Sequence, residues 1–149
     1  NFYEFCSESK FYGNAHLISI GREQITTAGA ALITLLQRAL IEADLLNNAM
    51  EKPEDFTGAL FSSGFFLETL QGATLGMDQF WNDYMEITQT ITESPGAVLL
   101  KNGDKITTGR LLNEKDVISV IAFANLWNNR QYFIETKEDW WFFDWATMM

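Results

Sequence analysis

The fold class of this chain depends on residues 131–145, which read QYFIETKEDWWFFDW. As a pair of strands, residues 132–136 and 140–143 would run antiparallel around the polar turn at residues 137–139. As a helix, the segment would begin at a cap on Thr136. The first structure would give the chain a C-terminal antiparallel meander, whereas the second would complete a bundle of helices. The segment by itself is compatible with both.

The same segment carries five aromatic rings in the six residues 140–145. On a strand, alternate rings would face opposite sides, and on a helix they would surround most of its circumference. Either some of these rings contact a partner, or the fold buries both sides of the segment. In the first case Trp140, Trp141 and Trp145 would be the anchors of a binding surface, because tryptophan is enriched at the energetic centres of interfaces.

The remaining sequence favours helices. Apolar residues recur at three- and four-residue spacing over residues 27–50, with Thr26 or Thr27 as the cap, and the stripe is wide enough for a helix at the centre of the packing. Residues 54–70 follow Pro53 as a second helical segment. Residues 77–93 form the clearest amphipathic helix, with its acidic side chains together on the polar face.

Three shorter segments predict local structure. Residues 113–116, Asn-Glu-Lys-Asp, match a capping box and predict a helix to about residue 128, with a buried strand as the alternative. The Asn-Gly pair at residues 102–103 predicts a hairpin within residues 97–108, with a short helix as the alternative. Residues 1–13 are aromatic-rich and ambiguous, and we interpret them as a short helix.

These elements together predict a mainly α protein. We expect residues 1–149 to fold as a single-domain helical bundle with one or two small β-hairpins. The alternative is an α+β fold with a C-terminal antiparallel meander. The chain is long enough to bury a sizeable core in either case.

Negative charge is concentrated in the middle of the chain. The net charge is −10, and between Arg38 and Lys101 ten acids accompany a single base, Lys52. A localised field of one sign favours a partner of the opposite sign. Phosphates of nucleic acids and anionic membrane surfaces would repel this region. The sequence therefore predicts a basic protein partner.

The chemistry of the side chains gives little support for catalysis. His16 is the only histidine, so a multi-histidine metal site is impossible and any catalytic triad or dyad would depend on that residue alone. Neighbouring Glu4 and Glu8 would raise the pKa of the Cys6 thiol, which is the wrong direction for a nucleophile. Phosphate-binding loops, calcium loops and Glu-x-x-His pairs do not occur. We predict a protein that is not an enzyme and binds no cofactor or metal.

The compartment follows from cysteine usage and hydropathy. Cys6 is the only cysteine, which excludes an internal disulfide and fits a reducing environment. We expect a cytoplasmic location, with secretion after removal of a signal peptide as the alternative, because the chain begins at Asn1. The most apolar run, residues 28–46, contains three charged residues and predicts no membrane span.

Charge, size and aromatic content lead to one preferred functional hypothesis. It is a non-catalytic acidic module that covers a basic surface of a partner such as a nuclease or toxin, as inhibitors and immunity-type proteins do. The predicted contact residues are Glu51, Glu54, Asp55, Asp78, Asp83, Glu86, Trp140, Trp141 and Trp145. One alternative is a structural subunit that forms homo-oligomers through residues 28–46 and the aromatic tail. Another is an enzyme or small-ligand sensor with an aromatic-lined pocket.

Overall fold

Within residues 1–7, 13–42, 73–106 and 111–147, which the computed structural model describes, eight strands form one antiparallel sheet in the order β3-β6-β7-β8-β2-β1-β4-β5. The strands are β1 (Phe2–Cys6), β2 (Asn14–Gly21), β3 (Ala73–Thr74), β4 (Val98–Lys101), β5 (Asp104–Lys105), β6 (Val117–Leu126), β7 (Asn129–Thr136) and β8 (Asp139–Ala146). Two helices, α1 (Ala28–Glu42) and α2 (Met77–Thr92), and a 3₁₀ turn (Glu114–Asp116) complete the described part. The predicted mainly α bundle is therefore wrong.

The C-terminal segment adopts the meander that was the alternative. Strands β7 and β8 pair antiparallel, and β8 also pairs with β2 along its whole length. The Thr136 hydroxyl accepts a hydrogen bond from the Asp139 amide at 3.1 Å and donates one to the Asp139 carbonyl at 2.8 Å. Thr136 therefore closes the turn between two strands instead of capping a helix.

The helix predicted over residues 113–128 is also wrong, and the reason lies in two irregularities of β6. Asn113 accepts a hydrogen bond from the Lys115 amide at 3.1 Å, so the capping signal is used, but only for the short 3₁₀ turn. The register of β6 against β7 shifts at Ile118 and again at Phe123. Each extra residue interrupts the two-residue alternation of a strand, and the apolar spacing then resembles that of a helix.

Of the other local predictions that the structure tests, three are confirmed and one is wrong. Helix α2 matches the predicted amphipathic helix to within a residue, and Thr27 caps α1, its hydroxyl accepting a hydrogen bond from the Ala30 amide at 3.4 Å. Asn102 and Gly103 both have positive φ, 51° and 88°, as a two-residue hairpin turn requires. The N-terminal helix is wrong because β1 occupies Phe2–Cys6. The predicted helix over residues 54–70 lies outside the described residues.

The sheet is covered on both faces, which accounts for the aromatic tail. On the face covered by α2, the buried residues include Tyr132, Trp141 and Phe143. On the face covered by α1, they include Phe133, Trp140 and Phe142. Successive residues of a strand point to opposite faces, so consecutive rings enter two separate cores. We call these two sides of the sheet the α2 face and the α1 face.

Candidate functional site

The outward side of α2 carries exposed carboxylates that have no basic neighbour among the described residues. Asp78 and Glu86 are exposed on the helix, and Glu93 is exposed as its C-terminal cap residue. No Lys, Arg or His occurs in the sequence from residue 53 to residue 100. Within the described part of the chain, no basic group lies within ion-pairing distance of these three carboxylates. We call Asp78, Glu86 and Glu93 the acidic face.

Aromatic packing holds this helix firmly on the sheet. The Phe80 ring meets Tyr132 of β7 edge-on at 5.5 Å between centroids, and Tyr84 meets Phe143 of β8 in the same way at 5.5 Å. Burial raises the pKa of the Tyr84 phenol above its usual range. Two rings of the helix thus pack on β7 and β8, and its inner side is buried. The acidic face is therefore presented on a fixed platform.

The helix dipole accounts for one of these acids but not for all of them. Asp78 lies in the first turn, where a negative charge interacts favourably with the helix dipole. Glu93 lies at the opposite end, where the dipole disfavours an acid, and the last turn contains no basic residue. Glu93 therefore does not stabilise the helix through its dipole.

Asp83 differs from the other acids of α2 because it forms an internal ion pair. Its carboxylate lies 3.6 Å from the Arg130 guanidinium of β7. Arg130 also donates a hydrogen bond to the Asn125 side chain, and the Tyr132 hydroxyl donates to the same Asn125 oxygen at 3.0 Å. Burial raises the pKa of Tyr132 to about 12. Among the predicted contact residues, Asp83 is thus largely neutralised within the fold.

The β6–β7 hairpin next to this cluster ends in exposed apolar side chains. Leu126 pairs with Asn129, so Trp127 and Asn128 form the turn. The Trp127 side chain is 65% exposed and that of Leu126 is 48% exposed. We call residues 126–129 the hairpin tip. Trp127 is absent from the predicted contact residues because its spacing places it on a helical face, although the Asn-Asn pair that follows it is a turn signal.

The predicted tryptophan anchors lie mostly inside the protein. Trp140 is 3% exposed and Trp141 is 6% exposed. The Trp140 indole donates a hydrogen bond to the Ile25 carbonyl at 2.9 Å, and the Arg22 guanidinium lies 4.7 Å above its ring. Trp145 is partly buried against the core of the α2 face. These rings have little surface to offer, and we leave them out of the proposed interface.

The three remaining predicted contact residues, Glu51, Glu54 and Asp55, lie outside the described residues. The structure therefore brings Asp78, Asp83 and Glu86 together on one helix and separates them from the C-terminal tryptophans. Asp83 shares that helix, but its carboxylate is turned toward the sheet by Arg130.

A second group of polar side chains crosses the α1 face as one row. Glu4, His16, Asp144 and Gln131 are register partners on the adjacent strands β1, β2, β8 and β7. The His16 imidazole lies 3.9 Å from the Glu4 carboxylate. Burial raises the pKa of Asp144 to about 6, and a hydrogen bond from Gln131 opposes this shift. We call these four residues the polar row. The only signal for it in the sequence is Asp144, an acid among the aromatic residues of β8.

Two clefts near the end of β1 lie apart from both the acidic face and the polar row. One, of about 170 Å³, is lined in part by Tyr3 and Trp141, and another, of about 310 Å³, is lined in part by Leu35 and Arg38. Small-molecule pockets usually measure about 300–1,000 Å³. Neither cleft is lined by the polar row or by the acidic face.

Neither a metal cluster nor a resemblance to a known protein adds to these features. Among the described residues, no three His, Cys, Asp or Glu side chains are grouped so that they could hold a metal ion. Neither described helix combines the length and the apolar character that crossing a membrane requires. Comparison of the chain with protein-family models, with curated proteins and with solved structures finds no match in any of the three.

Proposed function

We propose that this chain is a non-catalytic acidic binding module whose acidic face covers a basic surface of a partner protein in the cytoplasm. The class of partner that fits is a cationic nuclease or toxin, which an inhibitor or immunity-type protein would neutralise. The observation that supports the proposal is the set of three exposed carboxylates on α2 without basic neighbours in the described part of the chain.

The dimensions of the acidic face suit a protein–protein contact. Its three carboxylates are eight and seven residues apart along the helix, which at about 1.5 Å per residue spans roughly 22 Å. A standard interface covers about 800 Å² on each partner and is therefore roughly 30 Å across. The acidic face would thus extend across most of such an interface.

The electrostatics favour rapid and specific association. Charges of one sign on one side of a protein steer an oppositely charged partner and discriminate against others. At physiological ionic strength the Debye length is about 8 Å, so the steering acts at short range. We expect the association rate to fall as salt is added, while a packed contact sets the dissociation rate.

The test is charge reversal with a matched control. The variant Asp78→Lys/Glu86→Lys changes the acidic face, and Glu23→Lys/Asp104→Lys changes two exposed acids elsewhere by the same net charge. Each immobilised protein is exposed to lysate of the source cells, and bound proteins are quantified by mass spectrometry at 50 mM and 300 mM salt. Compared with the wild type, we expect the first variant to capture at least tenfold less of a specific basic protein. The amount that the control captures should fall by less than twofold.

Two outcomes would contradict the proposal. Equal losses with both variants would show that total charge, and not the acidic face, governs capture. Retention of the same basic protein by the Asp78→Lys/Glu86→Lys variant would show that α2 is not the contact.

A further inference from the structure

We propose that Leu126 and Trp127 of the hairpin tip form the apolar anchor of the same interface to which the acidic face belongs. The partner would then present an apolar pocket bordered by Lys or Arg side chains. This inference rests on the proposed function and adds the chemistry of the complementary surface.

Trp127 differs from the other tryptophans of the chain because its side chain is exposed. All five lie in the described residues, and the other four are buried or partly buried. An exposed indole keeps its apolar surface in contact with water, which is unfavourable. An aromatic side chain removes 150–250 Å² from water when it packs against a partner. Tryptophan is also the residue type most enriched at the centres of interfaces. Its exposure next to exposed Leu126 gives the hairpin tip an apolar surface that a partner can cover.

The hairpin tip and the acidic face fall within one footprint. Asn125 and Arg130 face each other at the base of the tip, and the Arg130–Asp83 ion pair at 3.6 Å joins that base to the middle of α2. Trp127 is two residues beyond Asn125, or about 7 Å along the strand. Glu86 is three residues from Asp83, or about 5–6 Å across the helix surface. Even with the width of the Asn125–Arg130 pair and the length of the Arg130 side chain added, this path is comparable to the width of a standard interface, roughly 30 Å.

Hydrogen bonds hold the hairpin tip in place. The Thr147 amide donates to the Asn128 carbonyl at 3.0 Å, which ties the turn to the end of β8. The Tyr132 hydroxyl and the Arg130 guanidinium both donate to Asn125 at the base of the tip. An anchor that is ordered before binding loses less conformational entropy when it docks. The tip is therefore built as a fixed projection beside the acidic face.

Charge decides between the classes of partner for this anchor. An exposed indole and leucine would also suit a membrane surface, but the acidic face beside them would be repelled by anionic headgroups. A second copy of the chain carries the same net charge of −10 and would be repelled in the same way. A protein with cationic side chains around an apolar pocket satisfies both features at once.

The experiment compares two synthetic peptides of equal charge and length. One alternates Lys with Leu, and the other alternates Lys with Ser, so they differ only in apolar content. Their dissociation constants are measured by fluorescence anisotropy with the wild-type chain, Trp127→Ala and Leu126→Ser. The matched control is Ile33→Ala, because Ile33 is 58% exposed on α1 on the opposite side of the sheet. The melting temperature of every variant is measured in parallel.

We expect the wild type and Ile33→Ala to bind the Lys–Leu peptide at least tenfold more tightly than the Lys–Ser peptide. Trp127→Ala should reduce that preference to less than twofold and leave binding of the Lys–Ser peptide unchanged, and Leu126→Ser should reduce the preference in part. An unchanged preference in Trp127→Ala, or an equal loss in Ile33→Ala, would overturn the anchor while leaving the acidic face as proposed.

Two further outcomes separate the remaining possibilities. Failure of both peptides to bind the wild type would overturn the proposed function and this inference with it. Vesicles of phosphatidylcholine and phosphatidylglycerol (3:1) should not bind the chain. Vesicle binding that is lost in Trp127→Ala would assign the hairpin tip to a membrane and overturn the inference.

Discussion

Replacement of Asp144 by asparagine tests whether the polar row is maintained at a cost to stability. Burial raises the pKa of Asp144 from 3.8 to about 6, so the folded protein holds this proton more tightly than the unfolded chain. Stability therefore falls as pH rises through this range. Below about pH 4 both states are protonated and the cost is absent, whereas above about pH 6 both are ionised and the whole cost applies.

The size of the effect follows from the shift. Each pKa unit corresponds to about 1.4 kcal/mol, so a shift from 3.8 to about 6 sets an upper limit of about 3 kcal/mol. Because Asp144 is only partly buried by its accessible surface, solvent screening reduces this to about 1–2 kcal/mol. Asparagine has the same shape, keeps an acceptor for Gln131 and does not ionise. Asp144→Asn should therefore stabilise the protein above pH 6 and change little below pH 4.

The assay is urea unfolding followed by tryptophan fluorescence at pH 3.5, 4.5, 5.5, 6.5 and 7.5. The free-energy difference between Asp144→Asn and wild type should rise by about 1–2 kcal/mol across this series. Asp104→Asn, at an exposed position in the β4–β5 hairpin, is the control and should show no comparable rise. A difference that is constant with pH, or a wild type more stable than Asp144→Asn at pH 7.5, would refute the argument.

Three further predictions concern the helix, its ion pair and two glycines. Arg130→Met should lower the free energy of unfolding by about 1–3 kcal/mol because it leaves the partly buried Asp83 carboxylate without its ion-pair partner. A further Asp83→Asn change should restore part of this loss in urea unfolding, and no recovery would contradict the pairing. Glu93→Lys should raise the unfolding free energy by about 0.3–1 kcal/mol through the helix dipole. The same variant should associate more slowly with a basic partner, as measured by stopped flow. A loss of stability would argue against the dipole explanation. Gly13→Ala should destabilise the protein by more than about 1 kcal/mol, because φ is +68° and a Cβ would overlap the backbone of β8. Gly29→Ala, in open space on α1, should stabilise the protein by about 0.5–1 kcal/mol. Thermal melts that rank the two variants in the reverse order would contradict both predictions.

Sequence alone was sufficient where a signal is local. The amphipathic pattern of α2, the Thr27 cap and the Asn102-Gly103 turn each depend on a few consecutive residues, and each appears in the structure as expected. The separation of acids from apolar residues on α2 follows from the same periodicity, so the sequence by itself locates the acidic face. The same periodicity does not reveal that Asp83 is withdrawn from that face, because its partner Arg130 is distant in sequence.

The tertiary structure decided what depends on pairing between distant segments. Residues 117–126 became a strand because β7 pairs with them, and two bulges gave their apolar residues a helix-like spacing. The run of rings at 140–143 became core on both sides because one helix covers each face of the sheet. Strand register also assembled the polar row from four strands and left Trp127 at a turn. Helical periodicity and tight turns are properties of neighbouring residues and could be predicted, whereas pairing between strands far apart in the chain could not.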